Sequence, residues 1–390
     1  MPGRSKPRVV YAMTGAEGLC GGIATANKSA LRAVSRIATE RGFSLTVLSL
    51  HESPNDRPKV LPEDSPFLAF GGRQVPFAAE LARHALRGGL VICDHVNLSV
   101  PVLPAVMLRR CRLVILAHGS EADDRMKRTG RWMFQLATKV LTNSDLTRRR
   151  LLRRLPSVAA ETCHLGLSPD FLLQESIPSR PQSRRELVAC DGQTRPLGDR
   201  VLLLVARMDA TEGEKGHDAV LRALPALRER FPDVQAVFPG SGSGREGLIR
   251  LARELHVADA TFLPGFVPTP ELQDLYRRCY AFVMPSQQEG FGLVYLEAMN
   301  FGKPCIGCRD DGAEEVIVHE QTGLLISGQT NIAELAGAVE WLLSDPERAE
   351  KLGQQGFMRL HERFTSDEYQ RRFETAIGAL TPCCLANSQP

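Results

Sequence analysis

The chain has no apolar run long enough to cross a bilayer, no paired cysteine spacing and few aromatic side chains. The first absence removes helical membrane proteins, because nothing approaches the ~20 consecutive apolar residues that a spanning helix requires. The opening stretch, MPGRSKPRVVYAMTG, places charges before an apolar run of only five residues, too short for a secretory leader. A cytosolic chain is expected, or one lying peripherally on the cytoplasmic face of a membrane. Ten cysteines are scattered without repeating pairs, the usage of reduced thiols. Only Cys305 and Cys308 form a CxxC, and no second ligand pair stands at the spacing of a structural zinc site. Aromatics amount to 6% and no nucleic-acid-binding module is recognisable, so nucleic acid is set aside as a partner. Low-complexity tracts and short internal repeats are missing as well.

What is present is length and apolar content. At 390 residues and 43% apolar positions, the chain is too long for one core and long enough for two. Net charge is only +3, but it is unevenly spread. Residues 1–200 hold 30 basic against 18 acidic side chains and the remainder 18 against 27, which leaves the halves at +12 and −9. The first half therefore suits something anionic. Leu146 to Leu155, LTRRRLLRRL, wound as a helix, sets leucines on one side and Arg149, Arg150, Arg153 and Arg154 on the other. Such a helix either lies on an anionic bilayer or turns its leucines into a domain and its arginines to water.

From Arg8, short β-rich runs alternate with helix-length segments: RVVYAM, SLTVLSL, LVICDH, RLVILAHG, KVLTNS, ETCHLG. This alternation predicts parallel strands with helical crossovers. Periodicity is lost over Leu172 to Arg200, which reads as a linker, and resumes with VLLLVAR, VQAVFPG, TFLPGF, AFVMPS, PCIGC and GLLI. The expected organisation is a first domain over 1–171, a linker over 172–200 and a second domain over 201–365, both α/β and doubly wound. Open sheets of this kind place ligands beyond the carboxyl ends of their strands, so the cleft between the domains is the expected site.

Strand-end residues of the second domain then carry most weight. Arg207 and Lys215 follow VLLLVA, and two fixed cations suit a diphosphate. The stretch SQQEGFGLVYLEAM follows AFVMPS, and its backbone N–H groups at Phe291, Gly292 and Leu293 would face the crevice. Glu289 and Glu297 need another task beside a diphosphate. Hydrogen bonds from two polyols, a sugar ring and a ribose, would supply it.

Arg207 with Lys215-Gly216-His217-Asp218, Pro285-Ser286 to Glu289-Gly290-Phe291-Gly292 to Glu297-Ala298, Gly302-x-Pro304 and Gly323-Leu324-Leu325 together resemble the retaining glycosyltransferases of family 4 (glycosyl transferases group 1). The similarity spans most of Val201 to Asp345. It is looser over Arg8 to Gly166. The resemblance implies a GT-B fold, two Rossmann-like domains facing a deep cleft, with a C-terminal helix near 366–382 packed back on the acceptor-binding first domain. It implies that Arg207 and Lys215 neutralise the leaving diphosphate, Glu289 holds sugar hydroxyls, Glu297 the ribose, and the backbone at Phe291 to Leu293 the sugar and phosphates. Gly265, Phe266 and Val267 would border the nucleobase. The loop Gly18 to Gly22, including Gly21 and Gly22, would close over the phosphates, and His118 would sit beside the transferred sugar. His95 either lines the acceptor cleft or bonds locally. One departure is visible: the family often has two glycines where this chain reads Arg309-Asp310-Asp311-Gly312.

The implied reaction is retaining transfer of a hexose-type sugar from a nucleoside diphosphate sugar, UDP-linked first and GDP-mannose next, to a glycan or lipid-linked acceptor in cell-surface polysaccharide or glycolipid synthesis. No metal or other cofactor is expected. Two rivals are a synthase acting on a small soluble acceptor and a catalytically silent nucleotide-sugar binder. Gly242-x-Gly244-x-x-Gly247 matches a dinucleotide fingerprint, but the next strand ends in Pro264-Gly265-Phe266 without the acid a ribose would want, which counts against an oxidoreductase. Asp123-Asp124 and Asp310-Asp311 could hold Mg²⁺; both pairs read instead as surface acids.

Overall fold

A computed structural model describes residues 6–17, 21–122, 126–209 and 215–380. The chain forms two compact units, Met1–Pro169 with Ser366–Pro390, and Asp170–Thr365.

Unit 1 is built on β1 (Arg8–Met13), β2 (Ser44–Ser49), β3 (Phe67–Ala69), β4 (Gly89–Cys93), β5 (Cys111–Ala117), β6 (Lys139–Thr142) and β7 (Ala160–Thr162). They pair in parallel in the order β3-β2-β1-β4-β5-β6-β7. Runs such as LVIC and LVIL are apolar throughout because helices cover both faces of a parallel sheet. Its helices before the crossing to unit 2 are α1 (Gly22–Arg41), α2 (Gln74–Leu86), α3 (Leu103–Met107), α4 (Arg128–Leu136) and α5 (Asp145–Arg154). In α5, the basic helix, the Ser144 hydroxyl caps the first turn by accepting from the Thr147 N–H at 3.0 Å. Leu151 is in the core, with Leu155 just beyond the helix, while Arg149 and Arg153 are exposed.

Unit 2 begins with a hairpin, β8 (Glu186–Val188) and β9 (Thr194–Pro196), followed by β10 (Val201–Leu203), β11 (Gln235–Pro239), β12 (Thr261–Gly265), β13 (Ala281–Val283), β14 (Cys305–Cys308) and β15 (Gly323–Ile326). The last six form a parallel sheet in the order β12-β11-β10-β13-β14-β15. Its helices are α6 (His217–Arg230), α7 (Arg245–Glu254), α8 (Thr269–Arg278), α9 (Leu293–Met299), α10 (Ala313–Val316), α11 (Ile332–Ser344) and α12 (Pro346–Arg363). The final helix, α13 (Ser366–Gly378), belongs to unit 1, where Tyr369 and Phe373 are buried, α1 is its neighbour, and Lys139 Nζ donates to the Ala376 carbonyl at 2.9 Å.

Leu172 to Arg200 is not a free-standing linker. It is tied into unit 2 by Arg185, which pairs with Asp274 and Glu271, by Arg278, which donates to the Ser183 carbonyl, and by the bridge between Ala189 and Phe262. Its lack of periodicity comes from a short hairpin held by arginines rather than by an apolar face. Cys305 and Cys308 are both interior, and burial raises both thiols, Cys308 to about 12. Among the described residues no helix is long and apolar enough to cross a membrane.

Candidate active site

In unit 2 the strand order reverses between β10 and β13, so the connections leaving their carboxyl ends diverge and open a crevice in that sheet's edge. Lys215, at the end of the β10–α6 connection, and Glu289, after β13, meet there: Lys215 Nζ lies 2.8 Å from Glu289 Oε2, each side chain 23% exposed. The Glu289 backbone is fixed independently. Its N–H donates to Asp311 Oδ1 at 2.7 Å, and its carbonyl accepts from the Gly312 N–H at 3.0 Å. Gly312 permits this approach, since a Cβ there would stand 2.5 Å from Phe291 N.

Asp311 corrects the expectation of a surface acid, for it is only 2% exposed and its Oδ2 has no hydrogen-bond partner. Burial first, then the charge of Glu289, push its carboxyl up to about 7, against the pull of Lys215 and two backbone N–H groups. Asp310 is exposed; Asp123 and Asp124 lie outside the described residues.

Arg207 stands in the neighbouring loop, 60% exposed, with Nη1 3.6 Å from Asp209 Oδ2. That loop is stitched to the glycine-rich turn after β11: the Met208 N–H donates to the Ser241 carbonyl at 3.0 Å and the Gly244 N–H to the Met208 carbonyl at 2.6 Å. Beside it, the Gly240 N–H donates to the Gly265 carbonyl at 2.8 Å, Phe266 is 70% exposed and Val267 is buried. The Phe291 ring is interior, edge-on to Phe364 at 5.8 Å, so only its backbone can face a ligand. Gly292 precedes Leu293 at the start of α9, which has only seven residues, and the dipole of so short a helix is small. Fixed positive charge here resides chiefly on Lys215 and Arg207.

Glu297 is not with Glu289. It is 8% exposed and turned toward α8, where the Tyr276 hydroxyl donates to its Oε2 at 2.9 Å. Burial pushes its carboxyl up to about 7, opposed by the Tyr276 hydrogen bond. His217, at the start of α6, has its pKa lowered to about 4 by burial and then by Lys215, and stays neutral.

In unit 1, His118 follows β5. Its Nε2–H donates to the Asp94 carbonyl at 2.8 Å, its N–H to Glu121, and its carbonyl accepts from Asn143. His95 bonds locally: Nδ1 accepts from the Asn97 N–H at 3.1 Å, with Glu121 3.8 Å from Nε2. Gly21 and Gly22 open α1; Gly18 lies outside the described residues. Sequence reasoning missed the buried carboxylates behind them. Asp94 Oδ2 accepts from the Thr14 N–H and hydroxyl and from Asn27, at 2.6 to 2.7 Å, while Glu52 Oε1 accepts from the Ala16 and Glu17 N–H groups at 2.6 Å. Burial raises the Asp94 carboxyl. Both acids brace the chain leaving β1. Asp94, ending LVICD, was the one with a strand-end signal.

Two parallel sheets of this order define a protein of the GT-B fold. Residues 191–359 match the family model of the glycosyl transferases group 1. A GDP-mannose-dependent alpha-(1-6)-phosphatidylinositol monomannoside mannosyltransferase of Mycolicibacterium smegmatis is 32% identical over 258 residues, 63% of this chain and 64% of that protein. The Mycobacterium tuberculosis protein of that name is 36% identical over 257 residues, with the same coverage. The chain therefore spans somewhat under two thirds of these relatives' length. Among solved structures, Anabaena HepE in complex with UDP and glucose superposes with a TM-score of 0.75 at 18% identity, covering 96% of this chain and 100% of that one. Sucrose-phosphate synthase from Thermosynechococcus elongatus does so at 0.74 and 20%, covering 98% and 100%. At such identities the likeness establishes the fold.

Proposed function

We propose that the protein is a retaining glycosyltransferase, moving a hexose-type sugar from a nucleoside diphosphate sugar to a hydroxyl of a glycan or lipid-linked acceptor, in glycolipid or cell-surface polysaccharide synthesis. The observation that carries this reading is the Lys215–Glu289 contact of 2.8 Å at the reversal of strand order, with Arg207 one loop away. A diphosphate competes for the ammonium and a sugar's hydroxyls for the carboxylate, so one ligand satisfies both. As the anomeric C–O bond breaks, its electron pair goes to the diphosphate, and cations already in place favour that charge over the ground state. The acceptor oxygen bonds the anomeric carbon on the same face and its proton passes to a diphosphate oxygen. No protein nucleophile takes part; a covalent sugar trapped on Glu289 would contradict this.

The two mycobacterial mannosyltransferases described above are GDP-mannose-dependent by name, whereas the UDP complexes belong to proteins below 20% identity. GDP-mannose thus becomes the first donor to test, ahead of the UDP-sugars. Thermal denaturation with GDP-mannose, UDP-glucose and ADP-glucose should show one donor raising the melting temperature, unchanged by EDTA if Lys215 and Arg207 supply the countercharge to the diphosphate. No shift with any donor would end the reading.

An anionic membrane surface is the proposed partner of unit 1, whose half of the chain is strongly basic and whose Arg149 and Arg153 are exposed. Sedimentation with phosphatidylglycerol vesicles should carry the protein down at low salt and release it at high salt, as exposed charges require. Equal recovery with neutral vesicles would point to a soluble acceptor.

A further inference from the structure

Of the two glutamates that the sequence singles out, Glu289 is held by Lys215 in the crevice, whereas Glu297, about one turn into α9, is held from α8. Tyr276, on α8, is fully buried. Its ring stacks on Phe301 at 5.8 Å with an interplanar angle of 3° and meets Phe171 edge-on at 5.9 Å, so aromatic packing fixes where the hydroxyl points. That hydroxyl donates to Glu297 Oε2 at 2.9 Å. The Glu297 carboxylate makes no other hydrogen bond to the described residues, and the residue keeps 8% of its surface exposed. A carboxylate in this state has one oxygen committed and one able to accept.

We infer that Tyr276 is a positioning residue of the donor site: its hydroxyl fixes Glu297 Oε2, orienting Oε1 to accept from a hydroxyl of the bound nucleotide sugar. The inference rests on the donor reading above. A tyrosine at this helical position reads from sequence as core, and its ring is core; the function lies in the single oxygen at its tip. Because a hydrogen bond to the carboxylate favours the ionised form, the same hydroxyl also sets the pH at which Glu297 can accept. The titratable groups facing Glu297 are Tyr276 from α8 and Asp170 from the segment that enters unit 2; Asp170 pushes the carboxyl further up. With Glu297 near 7, donor affinity should fall as pH drops through neutrality.

The test is the donor dissociation constant, by calorimetry from pH 5.5 to 9, using whichever of GDP-mannose, UDP-glucose and ADP-glucose binds the wild type. Tyr276→Phe keeps the ring and removes the hydroxyl. It should weaken donor binding at pH 7 roughly 10-fold and move the acid limb upward by about one pH unit, the usual scale for a hydrogen bond to a charged group. A merely structural tyrosine would lower the melting temperature and leave the limb where it was. Glu297→Gln should remove the limb. Adding Tyr276→Phe to Glu297→Gln should cost little further affinity, since the hydroxyl acts through that carboxylate. An unmoved limb in Tyr276→Phe, or fully additive losses in the double variant, overturns the role of Tyr276 while leaving the donor reading intact. A wild type that binds none of the three sugars overturns both.

Discussion

Lys215→Ala should lower sugar-transfer turnover roughly 10²- to 10³-fold, and Arg207→Ala by a comparable factor, the scale on which one preset electrostatic donor acts in a transition state. Stability should hardly move. The Lys215–Glu289 pair is partly exposed and the Arg207 side chain mostly so, and ion pairs in such places contribute about 0–1 kcal/mol. The separation of the two quantities is the point, because a structural lysine would lose stability and activity together. Removing Lys215 has a second consequence. The ammonium opposes the rise of the Asp311 carboxyl, so its loss lets burial and Glu289 raise that carboxyl further. An acid raised above its unfolded value contributes stability fully below the unfolded pKa, near 3.8 for Asp, and loses it as pH climbs to the folded value, about 7 here. In Lys215→Ala that decline should extend to higher pH. Turnover assays and thermal melts on the same preparations check both statements, and near-normal turnover in both variants would sink the proposed function.

The architecture could be read from the chain because a buried parallel strand writes itself as an unbroken apolar run and the crossovers between strands keep a helical period. Strand ends then pointed to Arg207, Lys215, Glu289 and Glu297, of which the structure brings Lys215 and Glu289 into contact. What stayed hidden depended on burial, which sequence does not state for a polar residue. Asp311 looked like half of an acidic surface pair, yet the close approach of Gly312 to the Glu289 loop draws it inside. Tyr276 and Glu52 were invisible for the same reason, and Asp94 offered only its place at a strand end: each is a polar group inside an apolar environment, recognisable once its partner is in view. The segment Leu172 to Arg200 failed differently. Arginines and a three-residue-strand hairpin hold it, and neither leaves a periodicity.

Gly240→Ala should be among the most damaging single changes in unit 2, and it also decides what the glycine-rich turn is for. Gly240 has φ +146°, and a Cβ there would lie 1.9 Å from the Ala206 carbonyl oxygen, which is backbone and cannot swing aside. Gly242 crowds Met208 almost as closely, its Cβ falling 2.4 Å from the carbonyl carbon and oxygen. An added methyl must therefore push away the very loop that carries Arg207. Contacts of that kind place the change in the class that destabilises by more than about 4 kcal/mol, on the order of 8–16 °C for a unit of this size. Gly247, the third glycine of the fingerprint, behaves otherwise. Its nearest neighbour for a Cβ is the flexible end of Arg250 at 3.9 Å, and it sits inside α7, so Gly247→Ala should be neutral or stabilising by about 0.5–1 kcal/mol. A dinucleotide site needs its third glycine for tight packing of helix on strand; here the demand falls on Gly240 and Gly242 and not on Gly247. Urea unfolding of the two variants checks this contrast, and equal damage from both would mean that the turn packs as a dinucleotide fingerprint after all.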